Sequence, residues 1–154
     1  MFNRSSSKKQ YLEKPIICTT NGATYQKFQL YKESEKRNIM IIKDYGDDRG
    51  VTDKSVALFE AVKDQFDRFT EAKIDKEISK NNNLIYSALI LKDKNGNELH
   101  LSGCSSGYSG TGPHGTEEVL NKAGFDIDSR FIFCAKEFHL DHPIEEKKYY
   151  GERL

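Results

Sequence analysis

Residues that could do chemistry are concentrated in one stretch, "LSGCSSGYSGTGPHGTEEVL", residues 101 to 120. Five glycines fall between Gly103 and Gly115, interleaved with Ser105, Ser106, Ser109 and Thr111. Glycines admit backbone angles that turn several N–H groups into one concavity, and hydroxyl side chains add further donors. A helix that starts directly after such a run contributes free N–H groups and the positive end of its dipole. These are the requirements for holding a phosphate. Pro113 suits the first helical position, where the missing N–H costs nothing, so the amides of Gly112 to Thr116 are expected to face the ligand. The expected ligand-binding residues are Gly107, Tyr108, Ser109, Gly110, Thr111, Gly112, His114, Gly115 and Thr116, with Arg49 and Thr52 joining from a second loop. Tyr108 could stack on a base or pack down onto a sheet.

The spacing excludes the familiar nucleotide loops. No Lys-Ser or Lys-Thr follows the last glycine, and the segment from Gly107 to Gly112 is not GxGxxG. Glu117 and Glu118 are expected in the first helical turn, where they favour the dipole themselves and would repel a phosphate. The competing reading is a structural surface loop with an acidic helix start.

Other clusters are weaker. In "DYGDDRG" (44–50), Asp44, Asp47 and Asp48 offer oxygens to a hard cation, but the calcium-loop spacing and its distal glutamate are missing. Arg49 opposes a cation and suits a phosphate or carboxylate fork; turn-forming aspartates are the plainer explanation. In "EFHLDH" (137–142), His139, Asp141 and His142 could ligate zinc on a helix. On a strand the two histidines point to opposite faces, so a polar strand end is favoured over a metal site. Cys104 or a loop serine near His100 or His114 could form a nucleophile and base pair. No GxSxG elbow fixes such a pair, and a cysteine at a strand end is more often a small buried hydrophobe. No catalytic residue, metal site or cofactor is therefore assigned.

These residues need elements to position them. "KPIICTTNGATYQKFQLYK" reads as a hairpin around Asn21-Gly22, a pair suited to a type I′ turn. "NIMIIK" (38–43) reads as a buried strand. Val56, Phe59, Val62, Phe66 and Phe69 form one helical stripe with Thr52 or Asp53 as N-cap, and this helix is expected to run on through "TEAKIDKEI". "LIYSALILK" (84–92) and "ELHLSGC" (98–104) form a second hairpin. Thr116, Val119, Leu120 and Ala123 mark a second helix, closed by Gly124. "RFIFCAKEF" (130–138) reads as a strand. The expected fold is α+β: a mainly antiparallel sheet of about six strands with two amphipathic helices packed on it. Residues 1–10 form a flexible polar arm, 11–142 a single domain and 143–154 a polar tail. Segments 38–70 and 98–124 share the order strand, glycine-bearing loop, helix, so both loops could open on one edge of the sheet.

Composition narrows the function. Lys+Arg and Asp+Glu are both 24, so the formal net charge is zero, which argues against bulk nucleic acid binding. No apolar run is long enough to span a membrane, and the N-terminus lacks the apolar core of a signal peptide. Three widely spaced cysteines without a CxxC pair argue against a disulfide or zinc scaffold and fit a cytoplasmic protein. The abundance of Lys, Asn and Ile fits a bacterial or phage origin. The expectation is a non-catalytic binding protein for a phosphorylated small molecule, a nucleotide or nucleotide-derived signal that it senses or sequesters. The alternatives are a hydrolase or transferase acting on phosphate esters, and a protein–protein interaction module. A homo-oligomer stays open.

Overall fold

In the computed structural model, the described residues are 10–12, 14–75, 77–78, 84–85 and 88–141. The expected tail at 143–154 and all but Gln10 of the expected arm lie outside them.

The first hairpin forms as its turn chemistry requires. Strands β2 (Ile16–Thr20) and β3 (Ala23–Lys32) meet at Asn21 and Gly22, with φ of 50° and 81°. Both turn residues are left-handed, as a type I′ turn demands. Strand β1 (Gln10–Leu12) pairs with the far end of β3, so β1 and β2 share one side of it. Strand β4 (Arg37–Asp44) is antiparallel to β3.

The chain then crosses through helix α1 (Thr52–Val62) to β5 (Phe69–Ile74). It continues to β8 (Leu89–Asp93) and β9 (Glu98–Leu101), beyond a two-strand ladder of β6 (Glu77–Ile78) and β7 (Leu84–Ile85). Strand β9 lies beside β4 and parallel to it, Ile42 opposite Leu99. Helix α2 (Thr111–Lys122), helix α3 (Ser129–Cys134) and strand β10 (Phe138–Asp141) complete the described chain. The sheet order is β1-β3-β4-β9-β8-β5-β10, with β2 also on β3. The fold is α+β with a mainly antiparallel sheet, as expected; the strands are more numerous, one pair is parallel and there is a third helix.

Alternation along the strands sends Ile42, Leu99, Leu101, Leu91, Ala72 and Ile74 to one face. There they form a fully buried core with Leu58, Phe59 and Val62 of α1 and Val119 and Leu120 of α2. Each of these side chains larger than Ala72 stabilises by roughly 1.5–3 kcal/mol. The opposite face carries Glu71, Lys73, Lys92, Glu98 and His100.

Two expected elements differ. Helix α1 does not run on through residues 70–78, because Asp93 captures the chain. Its Oδ2 accepts the Asp67 N–H (2.9 Å) and the Asn97 amide (3.1 Å), while Oδ1 accepts the N–H groups of Asn95 and Asn97 (2.9 Å each). Lys94 N–H bonds the Arg68 carbonyl at 3.1 Å. The Phe66 and Phe69 rings, 5.3 Å apart, still reach the core, but from a turn and a strand. Residues 130–134 form α3 rather than a strand. Asp128 caps it, its side chain accepting the Arg130 N–H at 2.8 Å. The Phe131-Ile132-Phe133 triplet mimics strand alternation, yet only Ile132 is buried.

Candidate functional site

Because β4 and β9 are parallel neighbours, the loops that follow them leave the same edge of the sheet. Asp44, at the end of β4, ties the two together. It is 6% exposed; its Oδ2 accepts the Ser55 hydroxyl (2.6 Å) and its Oδ1 the Ser102 N–H (2.8 Å). Ser55 Oγ accepts the Gly103 N–H (2.8 Å), and the Gly103 carbonyl accepts the Thr52 hydroxyl (2.8 Å). Gly50 N–H donates to Ser102 Oγ at 2.7 Å, leaving the Ser102 hydroxyl hydrogen to point elsewhere.

The aspartates of the first loop are committed to structure rather than to a cation. Both Asp44 oxygens are used, and Asp48 Oδ2 accepts the Thr24 N–H at 2.9 Å. Asp47 remains exposed.

The glycines of the second loop each answer a close approach. A Cβ on Gly103 would lie 2.5 Å from the Val51 carbonyl carbon and oxygen. On Gly112 it would strike the Ser105 hydroxyl, and on Gly115 the Thr52 methyl, so Gly115 lets α2 touch α1. Gly107 has φ of 90°, and its N–H bonds the Ile132 carbonyl (2.9 Å), anchoring the loop to α3. Tyr108 lies across Gly110 and Gly112 rather than on the sheet, its hydroxyl 2.9 Å from Ser105 Oγ and about half its surface open. Thr116 is fully buried and donates to the Ser105 carbonyl at 2.7 Å.

Both long helices begin at this edge without a side-chain cap. Val51, not Thr52 or Asp53, is the N-cap of α1, and Gly110 that of α2. Among the described residues, the N–H groups of Thr52, Asp53 and Lys54, and of Thr111 and Gly112, meet no protein acceptor. Helix α2 begins earlier than expected, so Pro113 is its third residue rather than its first. It still lies in the first turn, where no intrahelical N–H is required. The shift moves the free amides: His114 N–H bonds the Gly110 carbonyl (3.2 Å), so Thr111 and Gly112, not Gly112 to Thr116, carry them. Glu117 and Glu118 consequently fall beyond the first turn, and Glu118 pairs with Lys122 at 2.9 Å. The end of α2 follows expectation. Gly124, with φ of 100°, and Phe125 return N–H bonds to Asn121 and Leu120.

Two depressions lie at this edge. One, of about 400 Å³, is lined by Gly46, Arg49, Gly50 and Ser102. The other, of about 250 Å³, lies between the starts of the helices and is lined by Thr52, Asp53, Val56, Thr111, His114, Gly115 and Glu118. Of the residues expected from sequence, Arg49 lines the first, and Thr52, Thr111, His114 and Gly115 the second. Gly107, Tyr108, Ser109, Gly110, Gly112 and Thr116 line neither. Sequence reasoning missed Gly46, Gly50, Ser102, Asp53, Val56 and Glu118; only their position after β4 and β9 marks them.

The chemistry of a Cys–His pair is not assembled. Cys104 is fully buried, and burial, with the Asp44 charge adding to it, pushes its thiol well above the ordinary value. His100 sits on the opposite face of β9 and holds Glu98, Nε2 to Oε1 2.8 Å. Among the described residues no helix is long and apolar enough to cross a membrane. Set against protein-family models, curated proteins and solved structures, the chain matches none.

Proposed function

We propose that this chain is a non-catalytic binding protein for a phosphorylated small molecule, a nucleotide or nucleotide-derived signal, held at the edge where β4 and β9 end. The observation that carries the reading is the pair of uncapped helix starts delivered side by side by parallel strands. Helix N-termini hold anions through free amides and the dipole. In α3, by contrast, Asp128 fills that role from within the chain.

Arg49 and the Ser102 hydroxyl, with no carboxylate among the lining residues of their depression, add a cation and a hydroxyl donor for the phosphate that the helix-start amides receive. The side chains of Asp53, Glu118 and His114 between the helices suit hydroxyl and amino groups of the same ligand, such as those of a sugar and base. Tyr45, Val51 and Tyr108, all exposed, border the same edge and offer apolar surface for a ring. Burial of Cys104 and the engagement of Asp44 support binding without turnover. Such a protein would sense its ligand or sequester it in a cytoplasm of bacterial or phage setting.

Native mass spectrometry of the purified protein, followed by a thermal-shift panel of nucleotides and cyclic nucleotides, tests the reading. A ligand at a hundredfold its Kd stabilises by about 2.7 kcal/mol. One or more panel members should raise the midpoint, and Arg49→Ala should remove the rise. No shift from any member at millimolar concentration, with no small molecule carried through purification, contradicts it. Turnover of a panel member, with or without magnesium, would favour an enzyme instead.

A further inference from the structure

The antiparallel pairing of β5 and β10 assembles a cluster that neither segment shows alone. Asp141 lies opposite Glu71, and His139 opposite Lys73, in the same register. Residues 139 and 141 are two apart, so their side chains share a face with each other and with their partners across the ladder. This is the face opposite the helices, since Ala72 and Ile74 point into the core. His139 Nε2 lies 3.0 Å from Glu71 Oε1 and 3.9 Å from Asp141 Oδ1. All three potential ligand atoms fall within 4.8 Å of one another.

We propose that Glu71, His139 and Asp141 form a binding site for a divalent transition metal of the zinc type. The spacing fits the ion. Ligand atoms about 2.1 Å from a tetrahedral centre sit about 3.4 Å apart, so the two measured separations bracket the requirement. The donor set selects the metal: an imidazole favours zinc and its neighbours over calcium or magnesium, and two carboxylates neutralise its charge. Three protein ligands leave a fourth position to water or to an added ligand. The backbone is fixed by the ladder, so binding costs only side-chain adjustment. Lys73 opposes a cation here, but its ammonium is engaged with Asp75, 3.3 Å away. Lys92, opposite Glu71 on β8, belongs to the same face. A bound ion would clip β10, which among the described residues pairs only with β5, to its neighbour.

The site is independent of the anion-binding reading, and its test uses the full tag-free chain with zinc and cobalt salts alone. Zinc titration calorimetry should give about one equivalent per chain, with a rise in thermal midpoint. Cobalt should give visible absorption of a low-symmetry site. His139→Ala should abolish all three signals. Glu71→Gln and Asp141→Asn should each weaken binding by about tenfold or more. Cys134→Ser, which removes an exposed thiol, should change nothing. His139 is 57% exposed, so its variant is expected to fold, checked by circular dichroism. Absence of zinc binding to the unaltered chain overturns the proposal. So does binding that survives His139→Ala, or that disappears in Cys134→Ser.

Discussion

The β4–α1 and β9–α2 units share an order of parts but solve their turns differently. After β4, side chains do the tying: Asp44, Asp48 and Ser55 each take or give a hydrogen bond to backbone or side chain of another segment. The glycines there, Gly46 and Gly50, have φ of 67° and 77° with open space around them. After β9, bare backbone does the fitting: Gly103, Gly112 and Gly115 are glycines because another part of the chain lies where a Cβ would be. A dense glycine run therefore reports close approach within the protein as readily as close approach of a ligand. What the two units have in common is the uncapped helix start, and that is the feature the proposed function uses.

The contrast is sharpest at Gly103. Gly103→Ala should cost about 3 kcal/mol, because the new methyl meets the Val51 backbone, which cannot rotate away. Asp44→Ala tests the side-chain unit: it leaves the Ser102 N–H and the Ser55 hydroxyl without their acceptor in a buried place, at roughly 2–3 kcal/mol. Gly50→Asn should cost less than about 1 kcal/mol, since asparagine tolerates the left-handed region and nothing crowds it. Urea unfolding of the three variants gives the order directly. If Gly50→Asn destabilises as much as Gly103→Ala, the distinction between the loops fails.

The smallest expected effect lies at the start of β9. The hydrogen bond from His100, with its charge adding, holds the Glu98 carboxyl below its ordinary value of 4.5. A lowered value in the folded state contributes stability that is present above 4.5 and lost as pH falls through the lowered folded value. Urea midpoints measured from about pH 7 down to about pH 3 should fall less steeply in Glu98→Gln than in the unaltered chain. Parallel profiles would remove this pair from the acid response.

Local signals in the sequence suffice where one or two residues decide the backbone. Asn21-Gly22 gave the first turn, Gly124 closed α2, and the two similar segments did place their loops on one edge. Signals failed where a distant partner decides. Nothing near Asp67 announces that Asp93, from the β8–β9 turn, will take its N–H and end the helical path. Residues 130–134 are a different case: their strand-like alternation competes with a local signal, the Asp128 cap, and the cap prevails. Pro113 is permitted anywhere in the first turn, so it could not fix which residues hold the free amides. Arg49, Thr52, Thr111, His114 and Gly115, expected from the two glycine-bearing loops, line the depressions. Asp53 and Glu118 depend on how α1 meets α2, and Ser102 on how the loop after β9 meets the loop after β4, which no local pattern encodes. His139 and Asp141 were visible in the sequence, but Glu71 becomes their neighbour only through the β5–β10 register.

The central claim is that the free amides at both helix starts receive an anion. Amide NMR during titration with inorganic phosphate, and separately with adenosine 5′-monophosphate, addresses it residue by residue. The expected result is saturable shifts of the Thr52, Asp53, Lys54, Thr111 and Gly112 amides, larger with the nucleotide and lost in Arg49→Ala. Unmoved amides at both helix starts, or shifts confined to other parts of the sheet, would contradict it.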